Sequence, residues 1–303
     1  MLFIVLSEDA RSARELISAA RDRGADSIVA VQFDATEAEA VSRSGATKVV
    51  VARLADGALK EEVASLVVSE AQTAESATVL VSSSRRMVNA AGRIAQQLGT
   101  APIPDVKSVE EDAFKHMMYG GKIMVGEKPT GPYVVAVVQS AAYEPVDADN
   151  DACPIESVDV AASSGAKVVG LKDKEAVSVD LTAAKTIVCI GRGVGTQEGF
   201  ELCASLKDAV KGEMGCTRPV TETEDPFMPR ETYIGASGVI VKPNLYIGVA
   251  TSGQTQHTMG MYESGKVVVI DKNASSLFFP QCDYGLVGDY HDIVPAITKA
   301  LGA

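Results

Sequence analysis

With 28 Lys and Arg against 40 Asp and Glu, this chain of 303 residues has a net charge of -12 and lacks the clustered cation needed to displace counterions from nucleic acid. Its 46% hydrophobic content suits about two globular domains, and no window approaches the ~18 apolar residues of a membrane span. Cys153, Cys189, Cys203, Cys216 and Cys282 form no CxxC pair, which removes the usual zinc and iron–sulfur spacings and leaves reduced thiols in a cytoplasm as the expectation.

The run Met1 to Leu6 meets Ser7-Glu8-Asp9 without a basic leader, so residues 2–6 read as a buried first strand and not as a targeting segment. Residues 9–23 carry Ala10, Ala13, Leu16, Ile17 and Ala20 at helical spacing and stop at Gly24. Ser27–Phe33, Val49–Val51 and Ala77–Val81 repeat the strand signal, and Arg86–Leu98 is a helix ending at Gly99. Between Asp105 and Glu144, Gly120-Gly121, Lys122–Gly126 and Val134–Val138 predict shorter strands joined by turns. A polar stretch, Val146–Asp180, leads to a new buried strand at Thr186–Ile190, which places the domain boundary near residue 182, with domains at 1–182 and 183–303. Strands alternating with helices predict an α/β protein, the second domain a doubly wound parallel sheet.

Four loops of the second domain carry the chemistry. Gly191-Arg192-Gly193-Val194-Gly195-Thr196 lies between a strand and a helix predicted over 197–210; it is either a dinucleotide loop or a tight turn, since Thr196 stands where the third glycine of GxGxxG belongs. In Gly215-Cys216-Thr217-Arg218-Pro219, Arg218 is either a fixed guanidinium for a ring or phosphate or a surface ion-pair partner. Tyr233-Ile234-Gly235-Ala236-Ser237-Gly238 brings a hydroxyl to a close backbone approach or makes a turn before a strand at Val239–Val241. Thr251-Ser252-Gly253-Gln254-Thr255-Gln256-His257 follows an apolar run and offers free N–H groups at a helix start to an anion; His257, about one turn beyond Gly253, is either near that ligand or in the core. His116 and His291 read as structural or surface residues.

Taken together, these loops would share the carboxyl edge of one sheet, where open α/β folds bind ligands. GRGVG from Gly191, GCTRP from Gly215, YIGASG from Tyr233, TSGQTQH from Thr251, VIDK from Val269 and DYGLVGDY from Asp283 resemble, in order and spacing over 185–303, the α-subunits of electron transfer flavoproteins. Ala101–Val106 and Met118–Gly121 resemble the family's first domain more loosely, and TRP, YIGASG and SGQTQH are most similar to the bacterial branch associated with anaerobic acyl-CoA and carnitine metabolism.

The resemblance implies FAD held by a Rossmann-like second domain and a heterodimer with a β-subunit. It carries FAD contacts onto Arg192, Thr217, Arg218, Ile234, Gly235, Ala236, Ser237, Ser252, Gly253, Gln254, Thr255, Gln256 and His257, with Asp271 and Asp289 as further positions and Tyr290 at the adenine end. Reduction places negative charge on the N1 and C2 carbonyl region of a flavin. His257, as a cation at a helix start near Gly253, is expected to stabilise it, with Arg218 near the other ring edge. Ser237 would offer its hydroxyl to N5, and the N–H groups of Ser252, Gly253 and Gln254 would share the pyrophosphate with Arg192. The chain departs from the family at Asp271, where Asn is usual, at Ala236, where Gln is commoner, and at Ser237, which replaces Thr. The acidic stretch Thr221–Glu231 is expected to shape a partner surface.

The resulting expectation is an electron carrier subunit exchanging electrons with partners such as an acyl-CoA dehydrogenase or reductase, with no substrate-specific catalysis of its own. An NAD-binding dehydrogenase subunit and a flavin-free structural subunit are the alternatives; Thr196 opposes the first, and Arg218 with His257 the second.

Overall fold

In a computed structural model, which describes residues 1–110, 113–119, 123–170, 179–222 and 228–302, the chain divides into two units, Met1–Lys172 and Asp173–Ala303. Gly120, Gly121 and Lys122, and residues 223–227 of the acidic stretch, lie outside the described residues.

The first unit runs β1 (Leu2–Leu6), α1 (Ala10–Asp22), β2 (Ser27–Gln32), α2 (Ala35–Ser42), β3 (Lys48–Leu54), α3 (Ala64–Ala71), β4 (Ala77–Ser82), α4 (Arg85–Leu98), β5 (Pro102–Val109), β6 (Phe114–Met118), β7 (Ile123–Glu127), β8 (Tyr133–Val138) and β9 (Ile155–Val160). The described strands form one sheet in the order β7-β6-β5-β8-β4-β1-β2-β3-β9, parallel except where β6 pairs with β5 and β7. β1 explains the layering: alternate side chains point to opposite faces, and all of them are apolar. Phe3 and Val5 pack with residues of α1 and α2, while Ile4 and Leu6 pack with α3 and α4. Helices α1, α2 and α4 begin where a side chain takes a free N–H group, as Asp9 does for Ser12 at 2.8 Å, and α4 stops at Gly99 with φ 68°. His116 is buried beside Glu127, Nε2 to Oε1 2.8 Å, on neighbouring strands.

β9 falls within the stretch read from sequence as a polar connection. It is an edge strand beside β3, mostly exposed, and so carries no apolar pattern to read.

The second unit runs β10 (Thr186–Ile190), α5 (Gln197–Ala209), β11 (Glu213–Cys216), β12 (Leu245–Val249), α6 (Thr255–Thr258), β13 (Lys266–Asp271), β14 (Tyr284–Val287) and α7 (Tyr290–Ala300). Its sheet is parallel throughout, in the order β11-β10-β12-β13-β14. Val188 and Ile190 face Cys203 and Leu206 of α5 and Val294 of α7. The opposite face, with Ile187, Cys189 and Tyr246, is covered by Ile234, Val241, Met261 and Phe278 from the connecting loops. The strand expected at Val239–Val241 is a single bridge, Val239 with Ile234; Val241 is buried and its N–H donates to the Gly260 carbonyl at 2.7 Å, so this segment closes a loop and extends no sheet. No helix of the described residues is long and apolar enough to cross a membrane.

Candidate functional site

Strand order alone locates a crevice. From β10 the chain moves to β11 on one side, then crosses to β12 on the other, so the connections after β10 and β12 leave the sheet in opposite directions. Ligands of doubly wound sheets bind at that reversal, beyond the carboxyl ends of the strands. Here it holds a cleft of about 690 Å³, walled by the loops after β10, β11 and β12 and by the Tyr233–Ser237 turn.

Close backbone approaches build the walls. A Cβ at Gly191 would lie 1.9 Å from the Ala250 carbonyl oxygen, so the loops after β10 and β12 touch only because this residue has no side chain. Gly253, at φ 68°, turns the second loop back against Phe278, whose backbone nitrogen a Cβ would meet at 2.4 Å. Arg192–Val194 forms one turn of 3-10 helix, which Tyr290 holds from below by donating its hydroxyl to the Val194 carbonyl at 2.9 Å. Thr196 then caps α5, accepting the Gly199 N–H at 3.1 Å. The residue that breaks the glycine fingerprint is therefore a helix cap.

The polar inventory is asymmetric. Among the described residues, the N–H groups of Thr251, Ser252, Gly253 and Gln254 donate to no group of the chain, and the exposed Arg192 makes no ion pair or hydrogen bond. The Thr251 hydroxyl is buried without a partner. Three of these residues, Ser252, Gly253 and Gln254, line the cleft together with the unpaired guanidinium, and such a group of donors forms a site for an anion. Arg218 differs, since its Nε lies 2.7 Å from Oε1 of Glu222, one helical turn away. Tyr233 donates its hydroxyl to the Ser237 carbonyl, and the Ser237 Oγ lies 3.1 Å from the same phenol oxygen.

His257 is not the cation expected of it. The ring is 8% exposed, and burial pushes its pKa below the usual imidazole value despite the hydrogen bond to Ile234. Its Nδ1 lies 2.8 Å from the Ile234 carbonyl oxygen, which can only accept, so the proton sits on Nδ1. Nε2 then accepts from the Tyr246 hydroxyl at 2.7 Å, with Cys189 Sγ at 3.8 Å. A neutral ring, with both nitrogens engaged by the protein, lies along the cleft. The helix start expected near Gly253 is also reduced to α6, one turn of four residues beginning at Thr255.

Of the residues expected at FAD, Arg192, Thr217, Arg218, Ile234, Gly235, Ala236, Ser237, Ser252, Gly253, Gln254, Gln256 and His257 line this cleft. Thr255, Asp271, Asp289 and Tyr290 do not. Asp271 accepts the Asn273 N–H at 2.8 Å in the turn after β13. Asp289 caps α7, accepting from the His291 N–H at 3.0 Å and contacting its Nδ1 at 2.7 Å. Tyr290 is buried against the Arg192–Val194 turn. Gly191, Gly193, Pro219, Tyr233 and Ala250 also line the cleft without having been expected as FAD contacts, although the first four belong to the quoted motifs and Ala250 immediately precedes one.

Two family models match the chain, the electron transfer flavoprotein domain over residues 7–163 and the electron transfer flavoprotein FAD-binding domain over residues 180–262. The chain belongs to the electron transfer flavoprotein family. Over 304 residues it is 32% identical to a protein of Escherichia coli (strain K12) named for an electron transfer flavoprotein subunit, YdiR, covering 98% of this chain and 97% of that one. It is also 34% identical over 229 residues to Protein FixB of Escherichia coli O1:K1 / APEC, covering 74% and 73% of the two chains. The second unit thus carries the FAD-binding domain of the α-type members of this family, and FAD is its cofactor.

Proposed function

We propose that this chain is the α-type subunit of a heterodimeric electron carrier and holds FAD in the cleft between the loops after β10 and β12. The observation that carries this reading is the run of free N–H groups at Ser252, Gly253 and Gln254, residues that line the same cleft as the unpaired Arg192. Those donors match a diphosphate, which needs several N–H groups and one guanidinium. The size of the cleft and its glycine walls match a large planar ligand in close contact with backbone.

Bound there, FAD supplies a redox centre that takes and gives up electrons singly or in pairs. The residues of the chain bind and orient it. Arg192 and the N–H groups after Thr251 hold the diphosphate. The Ser237 hydroxyl lines the cleft and can be offered to a ring nitrogen, while Tyr233 anchors the turn that carries it by donating to the Ser237 carbonyl. Arg218 sets its positive charge at the cleft mouth, where Glu222 steers the guanidinium and offsets part of its field. With His257 neutral, Arg192 and Arg218 are the cations lining the cleft among the described residues, and negative charge arising there is balanced by them together with the N–H donors.

The partners in this reading are a β-subunit and an acyl-CoA dehydrogenase or reductase in the cytoplasm, as in the bacterial branch of the family associated with anaerobic acyl-CoA and carnitine metabolism. The motifs TRP, YIGASG and SGQTQH support that branch. The test is a visible absorption spectrum, with flavin release and mass identification, on the chain purified with its β-subunit. FAD at one or more equivalents per heterodimer is expected, and Arg192→Ala should raise the FAD Kd about tenfold or more, as loss of a charge-assisted bond does. A preparation that takes up no flavin even with added FAD overturns the reading.

A further inference from the structure

Behind the cleft lies a buried polar chain that electron transfer by itself does not call for. The Ile234 carbonyl, the His257 imidazole and the Tyr246 hydroxyl follow one another through the loop-covered face of the second sheet, with the Cys189 thiol 3.8 Å from the same imidazole nitrogen as Tyr246. Tyr246 is fully buried on β12, a position an apolar side chain would fill without a hydroxyl to satisfy, and Cys189 is fully buried beside it on β10. The Tyr246 and His257 ring centroids are 6.2 Å apart, and Phe278 closes over both at 6.2 and 6.1 Å.

Each link constrains the next. The Ile234 carbonyl requires a proton on Nδ1, and in a neutral ring this leaves Nε2 with a lone pair. The Tyr246 hydroxyl, 2.7 Å away, fills that lone pair, and a hydrogen bond made to the neutral form opposes protonation. Among the described residues the titratable groups against the ring are Tyr246 and Cys189, with Cys216 of β11 beyond them. Arg192 and Arg218 line the same cleft, and no carboxylate or ammonium of the described residues touches the imidazole.

We propose that Tyr246 is a positioning residue of the cleft: by donating to Nε2 it keeps His257 in the neutral, Nδ1-protonated form, so that the electrostatic field on the bound cofactor does not change with pH through this histidine. The redox half of the statement rests on FAD occupying the cleft; the protonation half does not. His257 then acts as a fixed dipole and a packing surface, and the cationic balance stays with the two arginines.

The experiment is nitrogen NMR on the full-length chain with labelled imidazoles, first without flavin, followed by measurement of the FAD potential against pH. For the unmodified chain, the expected pattern is a pyrrole-like Nδ1 and a pyridine-like Nε2 for His257, unchanged through the ordinary imidazole value of about 6.5. In Tyr246→Phe, which keeps the ring and removes the hydroxyl, the His257 midpoint should rise by about one pH unit. The potential should then gain a break at that pH, absent from the unmodified protein and abolished by His257→Gln in the same background. An unmodified ring that is protonated on Nε2 or titrates at the ordinary value overturns the proposal and needs no variant. So does a Tyr246→Phe chain with an unchanged midpoint, or one whose midpoint moves while the potential shows no break. If the chain takes up no flavin, the NMR arm still decides the role of Tyr246, and the failure falls on the placement of FAD.

Discussion

Glu62 shows how a single buried carboxylate ties the first unit together. Its side chain, 2% exposed, accepts from the Ser163 hydroxyl, from the N–H groups of Ser163 and Ser164 at 3.1 Å each, and pairs with Arg93 at 3.2 Å. These donors, Ser163 foremost, hold its pKa down at about 2 against an ordinary 4.5. Because the folded value is depressed, the stabilisation is complete above pH 4.5 and is lost as pH falls from there towards 2. Urea midpoints across that window should show the loss. Glu62→Gln should flatten it and cost about 1–3 kcal/mol at neutral pH, since an amide nitrogen then faces donors. Residue roles of this kind were hard to read in the sequence, because they depend on partners far along the chain. The glycine loops placed His257 beside the cleft, but its charge is set by Tyr246, Cys189 and Ile234, which no local pattern connects to it.

For whole elements, legibility followed burial. β10 was read with its observed bounds because all of its neighbours in the sheet are buried strands, and α4 was within one residue because Gly99 stops it. β9 was missed because an exposed edge strand lacks the apolar signature. Val239–Val241 was misread because its apolar residues serve a packed loop. Asp289 and Tyr290 belong to this level too. One caps α7, and the other ties that helix to the Arg192–Val194 turn through the Val194 carbonyl. Tyr290→Phe should therefore leave the secondary structure intact by circular dichroism while loosening the turn that presents Arg192. We expect FAD affinity to fall about threefold to tenfold, the scale of one neutral hydrogen bond, as read by fluorescence titration.

For the molecule as a whole, every residue lining the large cleft lies between Gly191 and His257, all within the second unit, and each unit has its own sheet and its own cores. Ligand binding stabilises only what it contacts or what unfolds with it. Hydrogen exchange with and without FAD should thus slow at Thr251–Gln256 and Arg192–Gly193 and leave β1 to β4 unchanged. Protection spread evenly over both units would show that they unfold as one. At FAD a hundredfold above Kd, the second unit should gain about 2.7 kcal/mol.

The four donors after β12 are main-chain groups, which gives the loop an unusual tolerance. Alanine scanning from Thr251 to Gln254 removes hydroxyls and an amide but leaves every N–H in place, except where Gly253 loses its left-handed turn. The information that makes this loop a binding element is carried in its shape, so its side chains are open to drift over generations without loss of grip. Only an imino acid erases a donor outright.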